Sequence, residues 1–293
     1  MKSGFVSIVG RPNVGKSTLI NTIIGEKIAI VSDKPQTTRN RLQGIYTSDQ
    51  GQIIFVDTPG IHKPRHRLGE YMVQVSTRSL QEVDLVYYIT DITRPYGGGE
   101  EFIINYLQRS PVPVFLVVNK MDLNGEERLP EFIMPFTAQM SFAEIVPVSA
   151  AVGTNLSQLL EKTLTYLPEG PLYYPEDDMT DQPLSFIISE LIREKALVLT
   201  RDEIPHSLAV EIEEFKQQRG GKVYLRGVIY TERDSQKGIV IGRNGQMLKQ
   251  IGEQARLDIE ELLKQSVYLE LWVKVKKNWR DSENNLRQLG YQL

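Results

Sequence analysis

The sequence of 293 residues contains no cysteine. That excludes disulfides and thiol catalysis, and it fits a reducing compartment. Histidine is nearly absent as well: three residues, scattered, leave no zinc cluster. No apolar run approaches the length that spans a bilayer. The N-terminus enters a strand-like run within a few residues, so no signal peptide is expected. Strong net charge is missing too. At −3 overall, the balance does not advertise a nucleic-acid binder. The charge is uneven, however: from Gln182 onward 18 basic residues face 16 acidic ones, so the acidic excess lies in the N-terminal part. What is present is a globular composition, 41% hydrophobic, at a length that suits one or two domains.

The strongest pattern is Gly10-Arg11-Pro12-Asn13-Val14-Gly15-Lys16-Ser17, which reads G-x-x-x-x-G-K-S. An apolar run, Phe5–Val9, precedes it. After Thr18, the residues Leu19, Ile20, Ile23 and Ile24 recur at helical spacing. A strand, this loop and a helix form a phosphate cradle. Glycines allow the tight turn, and backbone N–H groups and the helix N-terminus face the anion. In that cradle Lys16 reaches the β- and γ-phosphates, and the Ser17 hydroxyl ligates Mg²⁺.

Downstream motifs refine this. The polar stretch Ser32–Arg41 reads as a loop, with Thr38 as the second Mg²⁺ ligand and Thr37 as its alternative. Arg39 and Arg41 are read as solvated loop charges, with stabilisation of the γ-phosphate as the alternative. The strand Gln52–Val56 ends in Asp57-Thr58-Pro59-Gly60, followed by Ile61. Asp57 holds Mg²⁺ through water, and Gly60 donates its N–H to the γ-phosphate. Two more apolar strands follow, Asp84–Thr90 and Val112–Val118, the second entering Asn119-Lys120-Met121-Asp122. The Asp122 carboxylate accepts guanine N1–H and its exocyclic amine, a pairing that adenine cannot offer. Lys120 lies along the base and Asn119 ties this loop to the phosphate loop. Ser149-Ala150-Ala151, after a strand at 144–148, contacts the guanine carbonyl, and a closing helix runs over 152–167. Alternating strands and helices give an α/β fold, a mostly parallel sheet with helices on both faces.

Four prolines and an acidic cluster between Pro168 and Pro183 mark a boundary. The expected organisation is a GTP-binding domain over 1–168, an extended linker over 169–182 and a second domain over 183–293. The second domain reads helix (184–199), strand (207–215), strand (222–232), short helix, Gly242-Arg243-Asn244-Gly245, helix to about 265, strand (267–277), and a short helix over 281–289. A G-x-x-G turn between two helices in that order is the type II KH arrangement, an α+β clamp for four nucleotides of single-stranded RNA. Lys237, Arg243 and Lys249 favour the phosphates, and Lys274, Lys276, Lys277 and Arg280 extend the basic surface.

With both halves read, the chain resembles the Era family of bacterial GTPases over essentially its full length. The residues that carry the resemblance are those at 10–17, 35–39 (P-Q-T-T-R), 57–61, 119–122, 149–151 and 240–245. The first five are shared with tRNA-modifying and double-domain ribosome-assembly relatives; their combination with one C-terminal KH domain is the specific part. The resemblance implies slow hydrolysis of GTP to GDP with Mg²⁺, and binding of 16S ribosomal RNA near its 3′ end. It also implies a part in maturation of the 30S subunit, as a monomer in the cytoplasm with peripheral membrane association. Asn13 matches the asparagine of potassium-dependent relatives, which implies K⁺ in place of an arginine finger. Ile61 stands where Ras-like enzymes carry a water-orienting glutamine, so Lys16, Thr38 and Gly60 form the expected catalytic set without a general base. A GTPase acting on tRNA or translation, and an RNA scaffold with a purely regulatory nucleotide site, are the alternatives.

Overall fold

A computed structural model describes the chain except residues 33, 35–36, 60–66, 79–81, 124, 202–203, 219 and 292–293; for 75–78 and 206 it describes the backbone alone. The chain divides into two compact units. One comprises 1–29, 38–64 and 69–181; the other comprises 30–37, 65–68 and 182–293. Among the described residues no helix is long and apolar enough to cross a membrane.

The first unit contains β1 (Lys2–Val9), α1 (Lys16–Ile24), β2 (Leu42–Ser48), β3 (Gly51–Asp57), α2 (Arg67–Arg78), β4 (Leu85–Asp91), α3 (Gly98–Leu107), β5 (Val114–Asn119), α4 (Leu129–Thr137), β6 (Glu144–Pro147) and α5 (Leu156–Tyr166), the start of α2 being shared with the other unit. Its sheet has the order β2-β3-β1-β4-β5-β6, and every pairing is parallel except β2 with β3. β3, β4 and β5 are buried along their whole length because helices cover both faces, which is why their sequences are near-continuous apolar runs. On one face Val9, Val56, Val86, Tyr88, Leu116 and Val118 pack with Ile103, Ile104, Leu107 and Phe136 of α3 and α4. On the other, Phe55, Tyr87 and Phe115 form a row of rings, with Tyr87 bonded to Thr163 of α5. Strand order reverses beside β1, so the loop after β1 opens at a topological switch point, where α/β sheets bind ligands.

The helix expected over 152–167 begins only at Leu156, because Asn155 adopts a left-handed conformation, φ 64°. The segment after 168, expected as an extended linker, turns between Pro175 and Asp178 and lies along the first unit. Ser3 donates to the Pro168 carbonyl at 3.0 Å, and Ile45 to that of Met179 at 2.9 Å. The Gln52 side chain receives the N–H groups of Tyr173 and Tyr174 at 2.9 and 3.1 Å and donates to the Tyr174 carbonyl at 2.9 Å. The first compact unit therefore runs to 181.

The second unit contains α6 (Leu184–Leu199), α7 (Ile204–Ser207), β7 (Ala209–Gln217), β8 (Val223–Thr231), α8 (Asp234–Ile241), α9 (Gln246–Leu263), β9 (Val267–Val275) and α10 (Glu283–Gln288). Its sheet is β7-β8-β9, with β7 antiparallel and β9 parallel to β8. Alternate residues of β8 and β9, among them Leu225, Ile229 and Val273, pack on Ile188, Ile192, Ile251, Ala255 and Ile259 of α6 and α9. This is a KH fold.

Candidate functional site

β1 ends at Val9 and α1 begins at Lys16, so the intervening loop sits at the helix N-terminus. Gly15 has φ +101°, and a Cβ there would lie 2.2 Å from Asn119 Nδ2. Only glycine satisfies both constraints. Arg94 donates to the Pro12 carbonyl at 3.0 Å and Lys120 to that of Asn13 at 3.2 Å; Arg11 reaches Glu100 at 3.4 Å.

The buried Lys16 ammonium turns onto the carbonyls of Gly10 and Arg11, at 3.3 and 3.1 Å. Burial lowers its pKa against the pull of Asp57, and burial raises that of Asp57 against Lys16, Ser17, Thr38 and Thr58. Both groups are thus short of charge partners. A bound polyphosphate would supply one for Lys16 and a cation one for Asp57.

Ser17, Thr38 and Asp57 lie within hydrogen-bond distance of one another. Ser17 Oγ lies 3.1 Å from Thr38 Oγ1 and donates to Asp57 Oδ2 at 3.0 Å; Thr38 Oγ1 donates to the same oxygen at 3.3 Å. Asp57 Oδ1 is buried with no hydrogen-bond partner. Two hydroxyls and a carboxylate with an open oxygen are hard donors, the set that Mg²⁺ takes. Thr58 secures the end of β3, donating from Oγ1 to the Ile8 carbonyl at 2.8 Å, and Pro59 is buried beside it. Gly60 and Ile61 lie outside the described residues.

Asn119, 2% exposed, joins three loops. It donates to the Val14 carbonyl at 2.8 Å and accepts the Ala150 N–H at 2.9 Å. Lys120 adopts φ 65°, and its ammonium is fixed by Asp91 Oδ2 at 2.6 Å. Met121 anchors the turn through its N–H to the Val148 carbonyl at 3.1 Å. Asp122 accepts from Ser149 Oγ. Thr18 and Ala150 both offer their carbonyls to Thr22 Oγ1, and Ala151 is exposed.

In the first unit Asp91 and Glu100 were missed by sequence reasoning. Asp91, which holds Lys120, ends β4 as Asp57 ends β3, and that position was the available signal. Glu100, which holds Arg11, carries no signal, because only folding brings α3 beside the loop. Arg39 corrects the reading of a solvated charge: it is 1% exposed. Arg41 pairs with Glu82 at 3.3 Å.

In the second unit α8 ends at Gly242, φ +73°, where a Cβ would lie 2.6 Å from that of Met247. Asn244 and Gly245 are also left-handed, so the chain turns sharply into α9. Arg243, Asn244 and Lys249 are exposed and Lys237 half-buried. Gly245, Leu248, Lys249, Gly252 and Arg256 form one stripe of α9, which with Leu269 and Leu271 of β9 lines a groove of about 390 Å³. Arg256 was missed, although its helical spacing from Lys249 and Gly252 was the signal. The expected extension of the basic surface is reduced, because Lys274 pairs with Glu213 at 2.6 Å and Arg280 with Glu232.

Residues 5–120 match the family described as 50S ribosome-binding GTPase, and residues 203–280 match the KH domain family. Two solved structures align over the whole of this chain and the whole of theirs, each at 42% identity. One is a point variant of Aquifex aeolicus Era bound to GDP and AlF4⁻, with a TM-score of 0.93. The other is Era in complex with MgGDPNP and nucleotides 1506–1542 of 16S ribosomal RNA, with a TM-score of 0.94. At that identity over the full length, with one nucleotide unit followed by one KH unit, the chain belongs to the Era family of GTPases.

Proposed function

We propose that this protein is a GTP-hydrolysing switch that binds 16S ribosomal RNA near its 3′ end and acts in assembly of the small ribosomal subunit. The observation that carries the reading is the triad Ser17, Thr38 and Asp57 beside Lys16, with Asp57 Oδ1 open. Related chains bound GDP with AlF4⁻, MgGDPNP and a 16S fragment, which supports the same ligands here. A cytoplasmic location follows from that partner.

In this reading residues 1–168 bind GTP and 183–293 bind RNA, with 169–182 between them. Lys16 leaves the loop carbonyls for the β- and γ-phosphates, while backbone N–H groups of Asn13, Val14, Gly15, Lys16, Ser17 and Thr18 hold the phosphate oxygens. Mg²⁺, held by Ser17 and Thr38 and through water by Asp57, neutralises charge that develops on the phosphates. Asn119 and Lys120 shape the base site, Asp122 selects guanine, and Ser149–Ala151 close it. Thr38 follows the γ-phosphate, so hydrolysis releases its loop. Lys237, the turn Gly242–Gly245 and Lys249 clamp the RNA backbone, and the groove along α9 takes the bases.

The test combines crosslinking with a variant. RNA crosslinked to the protein and sequenced is expected to map to the 3′ end of 16S RNA; transfer RNA in its place would redirect the reading. Gly242→Asp places a charge and a Cβ against Met247. It is expected to abolish RNA binding and leave GTP affinity unchanged.

A further inference from the structure

Arg193 and Glu194, on α6, are among the most deeply buried charges of the second unit, at 1% and 4% exposure. The chemistry derived above uses neither. Glu194 Oε1 accepts the N–H of Val31 at 2.9 Å. Arg193 donates through Nη2 to the backbone carbonyl of Thr37, and through Nε to Glu190 Oε1 at 2.7 Å. Two consecutive side chains of one helix therefore hold the segment 30–37, which belongs to the same compact unit, near both its ends. A buried guanidinium is costly unless paired and fully bonded. Arg193 has Glu190 as its acidic partner within hydrogen-bond distance, and its Nη1 is buried without one. Arg193 is thus poorly built as a mere stabiliser of α6.

The position of Thr37 gives the arrangement a purpose. A peptide unit is planar, so fixing the Thr37 carbonyl fixes the plane that ends at the Thr38 nitrogen and Cα. Thr38 Oγ1 is the hydroxyl found 3.1 Å from Ser17 Oγ and 3.3 Å from Asp57 Oδ2. We propose that Arg193 is a positioning residue for GTP hydrolysis: it sets the Thr37–Thr38 peptide and so presents the Thr38 hydroxyl to the metal and γ-phosphate. Glu190 orients the guanidinium and Glu194 fixes the upstream end of the segment at Val31. The inference rests on the GTPase reading above.

The experiment uses the full chain and compares Arg193→Met, Arg193→Lys, Thr38→Ala and the double variant Arg193→Met/Thr38→Ala. It measures GTP turnover and the affinities for GDP and a non-hydrolysable GTP analogue. Arg193→Met is expected to lower kcat roughly 10- to 100-fold, the usual consequence of a small misplacement of a reacting group. It should weaken the analogue but not GDP, because GDP has no γ-phosphate for Thr38 to contact. Arg193→Lys keeps one donor and should recover part of the loss. In the Thr38→Ala background Arg193→Met should cost nothing further, since the two act in series. Equal weakening of GDP and analogue, or losses that multiply in the double variant, would overturn the proposal. If Arg193→Met fails to melt cooperatively, Glu190→Gln carries the same comparison, because it keeps the guanidinium but frees its orientation. A Thr38→Ala variant with undiminished turnover would instead strike the reading of the site itself.

Discussion

Glu100 shows how burial sets the behaviour of a single side chain. It is 3% exposed, accepts from Tyr88 Oη at 3.1 Å and reaches Arg11 at 3.4 Å. Burial raises its pKa more than Arg11 and Tyr88 lower it. The folded chain therefore holds this proton more tightly than the unfolded chain does. Its contribution to stability is full below the unfolded carboxyl pKa and is lost as pH rises through the raised folded value. Glu100→Gln, which stays neutral, should melt above the parent at pH ~7, and the gap should close toward pH ~4. A melting series across that range checks this; a variant that melts lower at neutral pH contradicts it. At the proposed base site, Asp122→Asn would remove the anionic acceptor assigned to two guanine donors. GTP affinity should fall about a hundredfold or more, read by nucleotide titration, because hydrogen bonds to charged groups contribute about 1.5–3 kcal/mol each. Asp122 and Lys16 stand out in the sequence because the roles proposed for them follow from residue type and spacing. Asp91, Glu100 and the buried Arg39 do not, because their roles depend on neighbours that only the tertiary fold supplies.

At the scale of elements, the long buried strands and the α6 helix announce themselves through periodicity. β2 and α4 do not. The sequence of β2, LQGIYTS, mixes polar and apolar residues because its strand closes the sheet on one side. α4 carries a proline in its first turn and Pro135 inside, which obscures its helical signal. The prolines of 168–183 mark a break in the periodic patterns, but the partner that pins this segment is Gln52, buried in β3 and far away in sequence. Gln52→Ala strips the N–H groups of Tyr173 and Tyr174 of their acceptor. Three lost hydrogen bonds, each worth about 0.5–1.5 kcal/mol, make the expected cost about 2–4 kcal/mol. Urea unfolding should show it as a lower midpoint at an unchanged slope.

For the molecule as a whole, charge bears on how the proposed RNA site would hold its ligand. The net charge is −3, and three cations, Lys237, Arg243 and Lys249, flank the GxxG turn. Three phosphate contacts on a single strand imply a slope of about −2 for log K against log salt. Filter binding or anisotropy from low to moderate salt measures it, and a slope several times steeper would point to a wider basic footprint. Such shallow dependence would leave affinity to the grip on bases and backbone in the proposed groove, not to bulk attraction.

The chain from 168 to 181 also has a bearing on where the protein can be cut. Residues 179–181 run beside β2, with Thr180 bridging Gly44 and Asp181 accepting the Gln43 N–H at 3.1 Å. β2 is otherwise the outermost strand, with a row of unpaired backbone groups on its free side. A fragment ended at 168, where the α5 helix is complete, keeps every nucleotide-binding motif and uncovers that row. Such a fragment is a template for intermolecular strand pairing. During synthesis the same row stays bare until 179–181 emerge, which makes the nascent first unit vulnerable to aggregation for the whole of that interval.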